Sequence, residues 1–185
     1  MPTPVAGSAR GRAYAALALG VGIVSFASIL IRYAHAAGVP SIVIAMWRLA
    51  IAALVLLPWI ALRDRRTLAT IAPRDRWWAA FAGLFLAVHF AAWILSLEYT
   101  SVASSTVLVT TNPIWIALAS LSFFGERLAP RLMLAIVLAF AGSAIIFFAD
   151  HESGIEAARS PALGNTLALV GSMAMCGYLL IGRGV

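Results

Sequence analysis

Residues Thr100–Arg131 read TSVASSTVLVTTNPIWIALASLSFFGERLAPR. Two polar clusters, Ser101/Ser104/Ser105/Thr106 and Thr110/Thr111/Asn112, precede Pro113, and an apolar run leads on to Gly125-Glu126-Arg127. A helix in hydrocarbon can carry this much hydroxyl because Ser and Thr bond back to a carbonyl one turn earlier. Pro113 cannot donate to Val109, so the helix is expected to bend there and leave that carbonyl free. A bent, polar span of this kind belongs inside a bundle, beside a cavity. The competing reading is ordinary helix packing, with each hydroxyl bonded only locally.

The rest of the chain supplies the bundle. It is 63% hydrophobic and only 11% charged, with a mean hydropathy of +0.97. Several long apolar runs in such a composition mark an all-α, polytopic transmembrane helical bundle. The net charge of +6 does not point to nucleic acid, because the basic residues lie between apolar runs and form no single face. All 13 basic residues are Arg. Cys176 is the single cysteine, so there is no disulfide framework and no metal-ligand spacing, and no cofactor is expected. No P-loop motif is present, which leaves a gradient as the energy source for any transport.

Six spans are expected, each near the ~20 residues that cross the hydrocarbon. They are Ala13–Tyr33, Ile42–Leu62, Trp77–Leu97, Ser101–Phe124, Arg131–Ala149 and Ala162–Gly182. Ser41, Pro130 and Ser160-Pro161 are the start signals of the second, fifth and sixth. Residues 1–12 read as a disordered cytoplasmic tail, 13–149 as a five-helix unit, 150–160 as an external loop and 161–185 as one further helix. Arg10 and Arg12 before an apolar run, with Ala34-His35-Ala36 after it, resemble a secretory signal, but the run is too long and reads as a retained first helix.

One set of span ends holds ten Arg (10, 12, 63, 65, 66, 74, 76, 127, 131, 183), and the other holds only Arg159 outside the spans. The Arg-rich side is therefore cytoplasmic, and the chain is expected to be a multi-pass protein of the plasma (inner) membrane with its N-terminus inside. Trp59, Trp77 and Trp78 fall at the inner interface, and Tyr33, Tyr99, Phe147 and Phe148 at the outer one. Small-residue stripes for helix packing are expected at Ala79/Gly83/Ala87/Ala91, Ala135/Ala139/Gly142 and Gly164/Ala168/Ser172.

An offset of 150 residues aligns Leu17-Ala18-Leu19 with Leu167-Ala168-Leu169 and Leu30-Ile31 with Leu180-Ile181. Five helices per unit would insert a second copy upside down, the inverted repeat of many transporters. The chain is then one five-helix repeat plus the first helix of an inverted second. A full protein of roughly 300 residues is expected on this reading, or a homodimer in place of the missing C-terminal half.

Leu97-Glu98-Tyr99-Thr100-Ser101-Val102-Ala103, Asn112-Pro113 in mid-helix, Phe124-Gly125-Glu126-Arg127-Leu128 before Pro130, and Met46-Trp47-Arg48-Leu49 occur in order on the right spans. Together they resemble an EamA-type domain of the drug/metabolite transporter superfamily over roughly residues 13–149. The resemblance implies a ten-helix exporter of small metabolites, built from two inverted five-helix repeats.

Candidate substrate-binding residues follow from depth and chemistry. Arg48 lies roughly 9 Å into the second span at 1.5 Å per residue. It is either a cationic anchor for a carboxylate or a side chain snorkelling to headgroups. His89 is the titratable group nearest mid-membrane, with Trp93 one turn away. It either contacts substrate, and then could couple transport to protons, or bonds a neighbouring helix structurally. On the fourth span Ser104, Thr111 and Trp115 share a face with Leu108, and Asn112 lies beside it. Asn112 and the carbonyl freed by Pro113 would together offer the donor and the acceptor that an amino acid needs. Ser25 and Ser28 are weaker candidates, and Glu126-Arg127 reads as a helix-tying turn. The leading function is a secondary transporter exporting amino acids or similar small polar metabolites. The alternatives are a non-transporting membrane scaffold or subunit and an intramembrane enzyme, and the latter lacks paired acids or a Ser–base constellation in the spans. Alanine at Asn112, His89 or Arg48 is expected to abolish flux and leave folding intact.

Overall fold

The computed structural model describes residues 5–63, 70–125, 129–153 and 160–184, which are helical nearly throughout and contain no strand. Helices α1 (Val5–Ser25) and α2 (Ala27–Ala36) make the first span. Next come α3 (Ser41–Arg63), α4 (Pro73–Tyr99), the pair α5 (Val102–Val109) and α6 (Asn112–Phe124), α7 (Pro130–Ser153) and α8 (Pro161–Gly184). Five spans among the described residues are long and apolar enough to cross a membrane: Gly11–Ala36, Ser41–Arg63, Pro73–Tyr99, Val102–Ser122 and Pro161–Arg183. Helix α7 has 24 residues, enough to cross, and its described apolar stretch is Met133–Gly142.

The start signals hold: helices begin at Ser41, Pro130 and Pro161. Gly125, at φ 62°, closes α6 in the left-handed conformation that glycine adopts without penalty. Two boundaries differ from expectation. Helix α1 already begins at Val5, so residues 5–12 are helical where a disordered segment was expected; residues 1–4 lie outside the described residues. Helix α7 runs through Asp150 to Ser153, and the rest of the expected external loop up to residue 159 lies outside them. The Glu126-Arg127 turn and the side chains of Phe147 and Phe148 also lie outside them. The first span breaks at Phe26, whose N–H bonds to Ile23 O (3.3 Å) three residues back. Just before it, Ser25 Oγ donates to Val21 O (2.8 Å), the back-bond that bends helices.

Helix α4 is the hub. It packs along α8 and also against α2, α3 and α5. The expected α4 stripe does not make this contact: Ala79 and Gly83 are exposed, and a Cβ on Gly83 would meet nothing within 4 Å. The buried face is Ala82, His89, Ala92, Trp93 and Ser96. The small residues are instead on α8. There Gly164, Ala168 and Ser172 are buried as expected, and Gly171 and Gly177 extend the seam. A Cβ on Gly164 would stand 2.7 Å from Thr100 N, one on Gly171 3.3 Å from His89 O, and one on Gly177 2.5 Å from the Phe85 ring. Large α4 side chains thus fill notches on α8. On α7, Ala135 is exposed, Gly142 has open space beside it, and the Ala139 side chain lies outside the described residues.

Polar ties gather four helix ends. Glu98 near the end of α4 accepts from Ser41 N (3.3 Å) and Ser41 Oγ at the start of α3, where a carboxylate also suits the helix dipole. His35 Nε2, near the end of α2, meets Ser41 Oγ at 2.9 Å. Thr100 Oγ1 donates to Asn165 Oδ1 (2.9 Å), and Ser160 N to Tyr99 O (3.2 Å), which brings in the start of α8. Beside these ties lies an apolar core of Ile31, Ala45, Trp93, Ile94, Leu97 and Val109. Leu54, Leu62 and Trp77 stay exposed, a surface that suits lipid.

Gly164→Ala is therefore expected to lose about 1–3 kcal/mol through overpacking against backbone, whereas Gly83→Ala stays within about 0.5 kcal/mol. Thermal unfolding in detergent reads both, and an unchanged midpoint for Gly164→Ala would refute the close approach of α4 and α8.

Candidate functional site

The fourth span is interrupted at Thr110-Thr111, between α5 and α6 and one turn ahead of Pro113. Ending a helix in hydrocarbon exposes its last four carbonyls. Here they are Thr106, Val107, Leu108 and Val109: Thr110 N still bonds Thr106 O (3.0 Å) and Thr111 N bonds Leu108 O (3.3 Å), and the next three side chains supply the remaining donors. Thr110 Oγ1 donates to Thr106 O (2.8 Å) and lies 2.9 Å from Val107 O. Thr111 Oγ1 donates to Leu108 O (2.7 Å). The Asn112 amide nitrogen, in the orientation its neighbours require, donates to Val109 O (2.9 Å), the carbonyl that Pro113 leaves without an N–H.

The same residues reach α8. The Asn112 nitrogen also faces Ser172 Oγ (2.7 Å) and Ser172 O (3.0 Å). Ser172 Oγ meets Thr111 Oγ1 at 3.0 Å, and Trp115 Nε1 donates to Thr111 Oγ1 at 3.2 Å. A hydroxyl has one donor and two lone pairs, so Thr111 is saturated. One residue before Ser172, the carbonyl of Gly171 lies 2.8 Å from His89 Nδ1. A carbonyl can only accept, so that bond sets Nδ1 as a protonated nitrogen and leaves Nε2 uncommitted to Gly171. The His89 ring stacks on Trp93, with centroids 6.2 Å apart and planes at 17°, and meets Phe90 edge-on at 5.0 Å.

A cavity of about 1160 Å³ opens beside this assembly. Arg48, His89, Phe90, Trp93, Thr106 and Asn112 form its functional wall, opposite the face of α1 and α2 from Ala16 to Ile29. The half-buried Arg48 holds its guanidinium carbon 4.8 Å from the Phe90 ring centre and 5.6 Å from that of Trp93. No hydrogen bond or ion pair ties that guanidinium to a described residue; Glu98 is engaged by Ser41 and His35. Two further groups on the wall have buried polar atoms without a partner among the described residues: Trp93 Nε1 and Thr106 Oγ1.

Of the expected site residues, Arg48, His89, Trp93 and Asn112 converge on this cavity, as do Ser25 and Ser28. Ser104, Thr111 and Trp115 do not line it. The fourth span turns its Val102–Thr106–Thr110 face to the cavity and its Ser104–Thr111 face to its neighbours, because the buried hydroxyls there join other helices. Ser105 pairs with Ser96 of α4 (2.6 Å) and Thr111 with Ser172, while Ser101 caps α5 by accepting from Ser104 N (3.0 Å). Phe90 and Thr106 were missed. The spacing of Phe90 one residue after His89 gave no hint of Arg48, which lies on another span.

Compared with family models, residues 11–148 match the EamA-like transporter family. No curated protein and no solved structure matches the chain.

The bonds of His89 and Asn112 to other helices revise the expectation that their removal leaves folding intact. His89→Ala and Asn112→Ala should each lower unfolding stability by about 1–2 kcal/mol, the range for hydrogen bonds between membrane helices. Arg48→Gln should leave it unchanged or raise it, since no hydrogen bond or ion pair is lost and the buried charge is removed. Detergent unfolding curves of the three variants separate these outcomes.

Proposed function

The chain belongs to the EamA-like transporter family, and from that premise we propose that it exports amino acids or similar small polar metabolites by alternating access. Family members are multi-pass membrane transporters and not enzymes, which agrees with five apolar spans among the described residues. The observation that carries the finer reading is Arg48: a cation on the wall of a cavity within the bundle, with no protein counter-charge. Burying a cation this way is costly unless something pairs with it in the working cycle. A substrate carboxylate meets that need through two parallel N–H···O bonds. His89, Trp93 and Asn112 complete the proposed binding wall, and Thr111, Trp115 and Ser104 hold the fourth span behind it. The arginine distribution supports a cytoplasmic N-terminus in the inner membrane, and a solute gradient supplies the energy.

Everted membrane vesicles containing the protein should accumulate labelled amino acids or related metabolites above vesicles without it. Arg48→Gln should cut that flux at least tenfold, the loss of one charge-assisted contact. Wild-type flux in Arg48→Gln across the whole panel removes Arg48 from the site.

A further inference from the structure

Resting on the transport reading and its Arg48–carboxylate contact, the charge inventory of the cavity narrows the substrate within the proposed range, away from amino acids and toward related carboxylates without an ammonium. Its wall contains one formal charge, Arg48, and no carboxylate among the described residues. His89 commits Nδ1 to the Gly171 carbonyl, and Asn112 spends its amide nitrogen on Val109 and Ser172. The hydroxyl protons nearby are also committed, that of Thr110 to α5 carbonyls and that of Ser25 to Val21. Thr106 Oγ1 and Trp93 Nε1 are the neutral polar atoms left unpartnered there among the described residues, and apolar side chains make up most of the rest, from Leu17, Val21 and Val24 on one side to Phe90 and Val107 on the other.

The Arg48 guanidinium carbon lies over the Phe90 and Trp93 rings, and the guanidinium N–H groups have no hydrogen-bond partner among the described residues. Cation–π contact of this kind leaves the in-plane N–H groups open to a planar, bidentate acceptor. An ammonium on the carbon next to that carboxylate would bring a second cation beside Arg48, in a low-dielectric space with no acid to pair with it. We infer that the cavity selects a monoanionic carboxylate with an apolar, preferably aromatic body, and discriminates against the zwitterionic amino acid of the same shape.

Phenylpyruvate and phenylalanine form a matched pair for the test, since they share ring and carboxylate and differ in a keto group against an ammonium. Two readouts are needed on the full-length protein: uptake into everted vesicles and ligand-induced thermal stabilisation of the detergent-purified protein. The expected result is at least tenfold tighter binding of phenylpyruvate than of phenylalanine, lost in Arg48→Gln and not restored by Arg48→Lys. Binding of phenylalanine as tight as phenylpyruvate, or binding of both unaffected by Arg48→Gln, overturns the inference. Failure of phenylpyruvate to bind overturns it as well. Uptake decides the transport reading separately: selective carboxylate binding without flux of either compound leaves the selectivity standing and removes transport of this pair.

Discussion

A backbone carbonyl in hydrocarbon must meet a donor, and the break in the fourth span takes the helical donors from Val107 O and Val109 O at mid-chain of a membrane helix. Everything around the cavity answers to that constraint. Thr110, Thr111 and Asn112 supply the donors from the three positions that follow the last residue of α5. Once Thr111 and Asn112 are fixed in this way, their remaining capacity points at Ser172. Ser172 has a relative exposure of 0%, so α8 has to come close, and only its glycine-rich face permits that against the bulk of Phe85 and Trp93. The approach in turn brings the Gly171 carbonyl to His89.

The two basic side chains of the bundle centre are thereby separated by role. His89 is a strut whose outward nitrogen and ring still face the cavity. Arg48 has no such anchor: aromatic faces shelter it and its donors are uncommitted. A charged residue deep in a span costs about 2.5–3.5 kcal/mol on insertion scales. Stacking recovers only part of this, at about 0.5–2 kcal/mol per contact. The imbalance is the kind that binding, and not folding, relieves.

The helical, membrane-spanning architecture was legible because hydropathy is a property of single segments. Helix starts at Ser41, Pro130 and Pro161 were legible for the same reason, since proline and a preceding polar residue act locally. The depth of Arg48, His89 and Asn112 was also enough to bring them to one wall. What could not be read was orientation about the helix axis. Ser104 and Thr106 are both hydroxyls two positions apart, and only the presence of α4 and α8 decides which one faces protein and which the cavity. The α4 stripe failed on the same point: Ala79 and Gly83 are small, but α8 supplies the small residues at that seam and asks α4 for large ones. The break falls between Val109 and Pro113, where the proline was expected to bend the helix, but the Val109 carbonyl is not left free: the Asn112 amide covers it.

The cap at the end of α5 has a mechanical consequence. Its donors belong to the linker itself and lie within four residues of the carbonyls they serve. A break whose carbonyls depended on a distant helix would lose them whenever that helix moved. Here the Thr110 and Thr111 bonds stay between the linker and the last turn of α5, and Asn112, at the linker's edge, reaches back only three residues to Val109 O. The fourth span is therefore interrupted and insulated at the same place, so that a change of angle there would leave most of these carbonyls covered.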